Sequence, residues 1–407
     1  MTTKRSQHYV LAGTIAAYLL ITFEILIMIS PFAVYFYSVY APLLGLLASS
    51  PLTAWTTEFF LPHMVFTNDP VIAGILYLQI LFIAGLALFL LTALPLYYVK
   101  LVKRGVLKGW MYSYIRHPQY LFLAISGFGL LIYWPRFIVL ILYITMLFVY
   151  YLLARHEESR MRHRFGVSYE EYMARTPMFL PGEPGGKVFR ALFGWISPRW
   201  AGILAAYAAA LVLSVALAWG VRTYAVAQVP KVAIDRETVI PVFPRPQAEV
   251  RGLYEKVIAD ARVREFLAKE RRVNLAYLIP GDYFLNALVT EEKRRFSDEF
   301  IRSFPDILEW QKTHPPGGLG RFFRLFFRFF GLIGAEAEEW RIEVERFIFV
   351  KVTDGSGDPV GRDALLAVGV KREPELLVDV DADTREIIAV VVTSGYNEWG
   401  ATPMPTF

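Results

Sequence analysis

The sequence predicts an α-helical polytopic membrane domain of about five transmembrane helices, two of them forming a helical hairpin, followed by a soluble α+β domain. Three observations carry this. The 407-residue chain is 55% hydrophobic and only 19% charged, with a mean hydropathy of +0.40, too apolar for an ordinary soluble protein. Its first half holds long apolar runs. Its last part changes to short runs of β-branched and aromatic residues separated by Asp-Gly, Ser-Gly and Asp-Ala-Asp-Thr turn signals.

Five segments are apolar enough to weigh against the roughly 20 residues that a bilayer requires: Tyr9 to about Tyr40, Val71 to Tyr98, Tyr120 to Trp134, Phe137 to Leu153, and Trp200 to Val221. Pro31 and Pro42 punctuate the first. Residues 9–50 therefore form either one kinked helix or a helix plus a re-entrant segment. The third is short because Pro118 and Pro135 bracket it, which fits a steep or partly submerged hairpin arm. Lys4 and Arg5 precede an apolar stretch far longer than a signal core and without a small-residue cleavage site, so the first segment is expected to be retained.

Charge sets the expected orientation. There is no Lys or Arg between Arg5 and Lys100, whereas Lys100, Lys103, Arg104, Lys108 and Arg116 crowd the approach to the hairpin. Arg155, Arg160, Arg162, Arg164, Arg175, Lys187, Arg190 and Arg199 follow it. The positive-inside bias places both segments in the cytoplasm of a multi-pass protein of the cell membrane, with the N-terminus cytoplasmic. The stretch from Ser50 to Pro70, with Glu58 and Asp69, then lies outside, and the last span carries the C-terminal domain to the extracytoplasmic face. The expected organisation is a membrane domain over 1–221, a Pro-rich extended linker over 222–248, and an extracytoplasmic α+β domain over 249–407.

Within that last domain, Glu249 to Arg272 carries apolar positions at helical spacing, and Glu291 to His314 reads as a second helix capped by Thr290. Strands are expected at Trp340 to Val352, Ala364 to Val370, Leu376 to Val380 and Glu386 to Thr393, in an antiparallel sheet with helices on one face. The Leu376 to Val392 passage resembles the hairpin of PepSY-type or cystatin-like modules, although an ordinary hairpin around an acidic turn is the better reading. Arg321 to Phe330 alternates Arg with paired Phe; as a helix it sets three arginines on one face and rings on the rest, which predicts contact with membrane lipids or with membrane-complex partners. Nucleic acid is not an expected partner of an outer domain.

The chemistry concentrates between Tyr112 and Gly182. Ionisable groups at the ends of adjacent apolar spans are costly there, which points to a polar-ligand site at the membrane surface. Pro118 belongs at the first turn of a helix and holds His117 outside it, so Arg116 and His117 sit at a helix N-terminus that favours an anion. Tyr120 adds a ring and a hydroxyl. On the returning helix, Glu157 and Glu158, beside Arg155 and His156, could accept from an ammonium group or ribose hydroxyls. Gly166 suits a helix stop, and Ser168 with Glu171 suggests a capping box for a short lid helix carrying Tyr169 and Tyr172, ended by Pro177 and Pro181. The absence of cysteine excludes disulfides and thiolate metal sites. The other histidines show no ligand spacing with carboxylates, so no metal site is expected.

The run Tyr112-Ser113-Tyr114-Ile115-Arg116-His117-Pro118-Gln119-Tyr120, the hairpin, Arg155-His156-Glu157-Glu158, Phe165-Gly166, Tyr169, Tyr172 and the Pro177 to Pro181 ending resemble the cofactor region of the isoprenylcysteine carboxyl methyltransferase and phospholipid N-methyltransferase superfamily. The resemblance covers 108–182. It implies an integral membrane enzyme that binds S-adenosylmethionine from the cytosol and methylates a lipophilic acceptor, with Arg116, His117, Tyr120, Glu157, Glu158 and Tyr169 at the cofactor. It assigns no catalytic residue. Gly127-Phe128-Gly129 is similar to the Gly-x-Gly element of the phospholipid enzymes, although such pairs more often serve helix packing. Family members usually carry Gly where this chain has Phe122 and Arg where it has Ser113; a bulky Phe122 is expected to narrow the cofactor channel. The alternative is a non-catalytic accessory or scaffold subunit of a membrane complex, with the outer α+β domain contacting partners.

Overall fold

The computed structural model describes residues 41–62, 65–101, 108–270, 272–281 and 344–393. These fall into two compact units, one spanning Val71 to Val221 and the other joining the residues up to Pro70 with those from Arg222 onward. The first apolar segment and the expected features at Glu291 to His314 and Arg321 to Phe330 lie outside the described residues.

The first unit is helical. Three helices are long and apolar enough to cross a membrane: Pro70–Leu96, Phe137–Phe165 and Arg199–Ala227. The sequence expects spans at each of these places. Pro118–Tyr133 is apolar but shorter, so the membrane-length helices among the described residues number three. We label Pro70–Tyr77 α1, Leu81–Leu101 α2, Pro118–Tyr133 α3, Phe137–Phe165 α4, Val167–Arg175 α5, Pro184–Phe193 α6 and Arg199–Ala227 α7.

Helix α3 is the pivot of this unit, and its two faces use different residues. Toward α2 it presents Ser126, whose hydroxyl donates to the Phe82 carbonyl at 3.0 Å, and Gly129, where a Cβ would collide with the Phe82 backbone nitrogen. From the other side, a Cβ on Gly85 would collide with the Ser126 backbone nitrogen. Backbone thus lies on backbone, which only glycine permits at those two positions. Toward α4 it presents the Ala124 carbonyl, which accepts from Tyr143 at 3.1 Å, and Tyr120, whose ring stacks on Tyr150 at 5.2 Å. Helix α7 packs on α4 through Phe137 and Trp219, 5.1 Å apart, and through the paired hydroxyls of Thr145 and Tyr207 at 2.9 Å.

The second unit is built on a six-stranded sheet in the order β1 to β6: Val232–Ile234, Glu237–Pro241, Val273–Pro280, Val344–Thr353, Lys371–Asp381 and Ile387–Val392. All neighbours are antiparallel except β2 and β3, which run parallel, so the sheet is mixed rather than wholly antiparallel. Two helices, Gln247–Ala259 (α8) and Ala261–Lys269 (α9), connect that parallel pair, as a crossover connection requires. They lay Val250, Leu253, Tyr254 and Val257 against Phe347, Phe349, Leu376 and Val378 in one core.

Several expectations are corrected here. The stretch read as a linker carries β1 and β2, because its Val and Ile positions pair into the sheet while its prolines stay at the margins. The single helix expected over Glu249 to Arg272 is two, since Asp260 leaves the helical conformation and caps the second by accepting from the Arg262 and Val263 amides. The strand expected at Ala364 to Val370 is a turn, Arg362–Ala364, followed by the buried Leu365 and Leu366 and by Gly369 at φ +84°. Strand β3 is one that the sequence pattern does not announce. At the β5–β6 turn, Asp381 Oδ1 accepts from the Asp383 and Thr384 amides at 3.0 and 2.7 Å, the ordinary hairpin of the better reading.

Residues before Pro70 belong to the same unit as the sheet. The Phe66 amide donates to the Val242 carbonyl at 2.7 Å, and the Phe66 and Phe243 rings stack at 4.9 Å. Arg222, buried, donates to the carbonyls of Phe59 and Leu366 and lies 3.6 Å from Glu58, which also stands 3.7 Å from Arg372.

Candidate functional site

The groups that the sequence singles out come together at one end of α3 and α4. Pro118 occupies the first position of α3 and His117 its N-cap, at φ −129° and ψ 59°, as the His-Pro order demands. The Arg116-His117 backbone is then pinned from outside: the Arg116 amide donates to the Pro177 carbonyl at 2.9 Å and the His117 amide to the Met178 carbonyl at 3.1 Å. The strap after α5 thus lies alongside the motif and holds it by backbone bonds.

Arg116 is buried and closes the cluster. Its Nε donates to Glu158 Oε1 at 2.5 Å. Its Nη1 donates to the carbonyls of Met173, at 3.0 Å, and Thr176, while Nη2 lies 3.8 Å from Glu183 Oε1. The geometry gives Arg116 a supporting place, since its Nε and Nη1 both donate to protein groups. Met173, Thr176 and Glu183 all belong to α5, the strap or its end, so Arg116 ties that cover to α4.

Glu158 shares its carboxylate with His117, whose Nε2 stands 3.3 Å from the same Oε1, while Nδ1 stands 3.7 Å from Glu157 Oε2. His117 and Glu158 are each 4% exposed, so the imidazole and its carboxylate partners form one buried group. The His117 ring lies 5.7 Å from Tyr120 and 5.9 Å from Phe179, so an apolar wall and a carboxylate pair border the same imidazole.

The short helix α5 covers the cluster. Gly166, at φ +52°, ends α4, but the capping box does not form: no side chain caps α5, and the Ser168 hydroxyl instead accepts from Lys108 Nζ at 2.9 Å. Tyr172 donates to the Tyr112 carbonyl at 2.6 Å. Tyr169 is buried, its ring 5.7 Å from that of Tyr172. Burial drives both phenols upward, Tyr172 to about 12 and Tyr169 beyond the ordinary range, the latter reinforced by the negative charge of Glu158. Both therefore stay protonated and can act as donors.

All six sequence-derived residues thus share one neighbourhood. Phe122 does not narrow it. It stands about 200° round the helix from Tyr120, on the stripe of Ser126 and Gly129 that faces α2. Gly127 and Gly129 serve packing: a Cβ at Gly127 would meet Met146 and Tyr143. The sequence reading missed Tyr150, Phe179 and Glu183. Tyr150 was findable, because it lies two helical turns before Glu157 on the same face, where period-3.6 spacing places it opposite Tyr120.

No protein-family model matches this chain, and neither a curated protein nor a solved structure does. The functional reading accordingly stands on the residues themselves.

Proposed function

We propose that the chain is an integral membrane methyltransferase that holds S-adenosylmethionine at the cytosolic ends of α3 and α4 and methylates a lipophilic acceptor. The observation that carries this reading is the buried His117–Glu157–Glu158 group, an imidazole set between two carboxylates beneath a helix tied down by Arg116. A purely structural clasp has no need of the imidazole, since Arg116 and Glu158 already satisfy each other. Its presence fits a site built for a ligand that offers both donors and acceptors.

The residues then divide the work. Glu157, whose side chain is the more exposed of the carboxylate pair, accepts from an ammonium group or ribose hydroxyls. His117 supplies the matching contact, and Tyr120, Tyr150 and Phe179 form an apolar wall for the uncharged part. A sulfonium donor carries its own activation, so the chain's contribution is alignment and exclusion of water, for which α5 and the strap serve as the cover. In this orientation the lysines and arginines flanking the site face the cytosol, and the residues before Pro70 and the sheet unit lie on the outer side of the cell membrane.

A second reading is favoured by one observation: the Nε and Nη1 of Arg116 both donate to protein groups. That suits an accessory or scaffold subunit in which the cluster only locks α5 in place, and the outer domain, with Arg321 to Phe330, contacts partners. Calorimetric titration of the purified chain with S-adenosylmethionine separates the two. Saturable binding that is lost in His117→Ala and Glu157→Gln, both still folded, supports the enzyme; no heat from a folded sample overturns it.

A further inference from the structure

Helix α6, Pro184–Phe193, is not part of the cluster, yet it is strongly two-faced. At 100° per residue, Val188, Phe189, Leu192 and Phe193 share one side while Lys187 and Arg190 take the other. The apolar side is divided in turn. Phe189 and Phe193, with rings 6.1 Å apart, lean on the start of α7, where a Cβ on Gly202 would meet the Phe193 carbonyl at 3.1 Å and Phe189 Cζ at 3.4 Å. Val188 and Leu192 stay uncovered, at 56% and 58% exposure, and so do Trp195 at 80% and Trp200 at 67%.

Position decides what covers them. Helix α7 is long and apolar enough to span a membrane, so its first turn stands at a membrane surface, and α6, packed on that turn, stands there too. Trp195 and Trp200 bracket the entry of the span, where indole rings favour the headgroup level. The charge is one-signed: Lys187, Arg190 and Arg199 lie in a stretch with no Asp or Glu between Glu183 and Asp235. A protein partner would need acidic complement for this surface, and an anionic leaflet supplies it without a specific fit.

We propose that α6, with Trp195 and Trp200, is an interfacial anchor that docks on the anionic lipid surface of the leaflet from which α7 departs, Val188 and Leu192 dipping among the acyl chains while Lys187, Arg190 and Arg199 meet the headgroups. It rests on the membrane reading of α7 and not on methyl transfer. The anchor also bears on the strap: Glu183, the N-cap residue of α6, accepts from the Met178 amide at 3.1 Å, so the segment that pins Arg116 and His117 is fastened at the same surface.

Because the chain has no cysteine, single cysteines are directly usable as probes. The full chain carrying Val188→Cys, Leu192→Cys or Lys187→Cys, each exposed and each checked for an unchanged size-exclusion profile, is labelled with an environment-sensitive fluorophore. It is then reconstituted into phosphatidylcholine vesicles with or without phosphatidylglycerol. The expected result is blue-shifted emission at 188 and 192, quenched several-fold more by brominated lipid than by acrylamide, with the reverse at 187. Phosphatidylglycerol deepens the effect, and the triple variant Lys187→Gln, Arg190→Gln, Arg199→Gln loses that dependence. Equal acrylamide quenching at 187, 188 and 192 overturns the proposal. So does shielding of 188 and 192 from both quenchers, which would show a protein partner or a second copy, and so does indifference to phosphatidylglycerol.

Discussion

Each unit of the molecule buries an arginine against a carboxylate, and the two pairs are built differently. In the sheet, Arg346 and Asp379 are cross-strand partners in register and meet two-pronged, Nε to Oδ1 at 2.6 Å and Nη2 to Oδ2 at 2.8 Å. Two parallel hydrogen bonds match fork to fork, and the pairing is symmetrical. In the helical unit Arg116 reaches Glu158 through Nε alone, gives Nη1 to the Met173 and Thr176 carbonyls, and leaves Glu158 to be shared with the His117 imidazole. The first pair matches both prongs of the guanidinium to one carboxylate. The second places an imidazole between two carboxylates, Nε2 3.3 Å from Glu158 and Nδ1 3.7 Å from Glu157.

Removing one carboxylate at a time tests this most severely. Glu158→Ala and Asp379→Ala each remove a carboxylate hydrogen-bonded to a buried guanidinium, a loss of about 3–5 kcal/mol for a buried pair. Thermal unfolding in detergent should register similar losses for both. Titration with S-adenosylmethionine should not: Asp379→Ala retains affinity per folded molecule, whereas Glu158→Ala loses it. If both variants bind equally well, the contrast between the pairs is only one of packing.

Replacing both members with apolar residues sharpens the comparison further. Arg346→Met with Asp379→Leu, and Arg116→Met with Glu158→Leu, each remove the desolvated charges together, and such exchanges are often neutral or stabilising by about 1–4 kcal/mol. The sheet variant should keep its binding whatever its stability. The helical variant should recover only part of the parent's stability, because a thioether in place of the guanidinium offers no donor to the Met173 and Thr176 carbonyls, and should not bind. Full recovery of both stability and binding in the helical variant would remove the site from consideration.

What could be read from the sequence follows from the same contrast. Groups fixed by local order were legible: Pro118 at a helix start, Gly166 at a helix stop, and Glu157 and Glu158 at the polar end of an apolar run. Apolar length alone located Pro70–Leu96, Phe137–Phe165 and Arg199–Ala227. What depends on distant chain was not. Strand β3 is buried at seven of its eight positions, so after Asn274 it shows an unbroken apolar run rather than the alternation that announces a half-exposed strand. The β1 and β2 strands hid among prolines because the partner of β2, strand β3, lies beyond two helices. In the site, Glu183 was invisible for that reason: only the fold of the strap returns it to Arg116.

The cover over the helical cluster gives a smaller effect. Tyr172→Phe removes one hydrogen bond to the Tyr112 carbonyl, worth about 0.5–1.5 kcal/mol, and touches neither carboxylate. Global stability should fall by no more than that. Hydrogen exchange at Val167–Arg175 should accelerate several-fold while exchange in β4 and β5 stays unchanged. Uniform acceleration across both units would mean that α5 is not a separate cover.

The smallest effect is a pH dependence confined to the sheet unit. Glu237 on β2 is pushed above the usual carboxylate range, chiefly by burial, against the opposing hydrogen bond donated by Tyr254. A carboxyl whose folded value is raised holds its proton longer when folded than when unfolded. Its contribution is therefore fully present below the ordinary carboxylate value and is lost as pH rises through the raised one. Comparing parent with Glu237→Gln by thermal unfolding across the mildly acidic range isolates this: the parent should lose stability relative to the variant as pH climbs through that window and then run parallel to it. A difference that grows as the pH falls would reverse the sign and place Glu237 with the carboxylates stabilised by charge, as Glu373 is by Lys351 and Lys371.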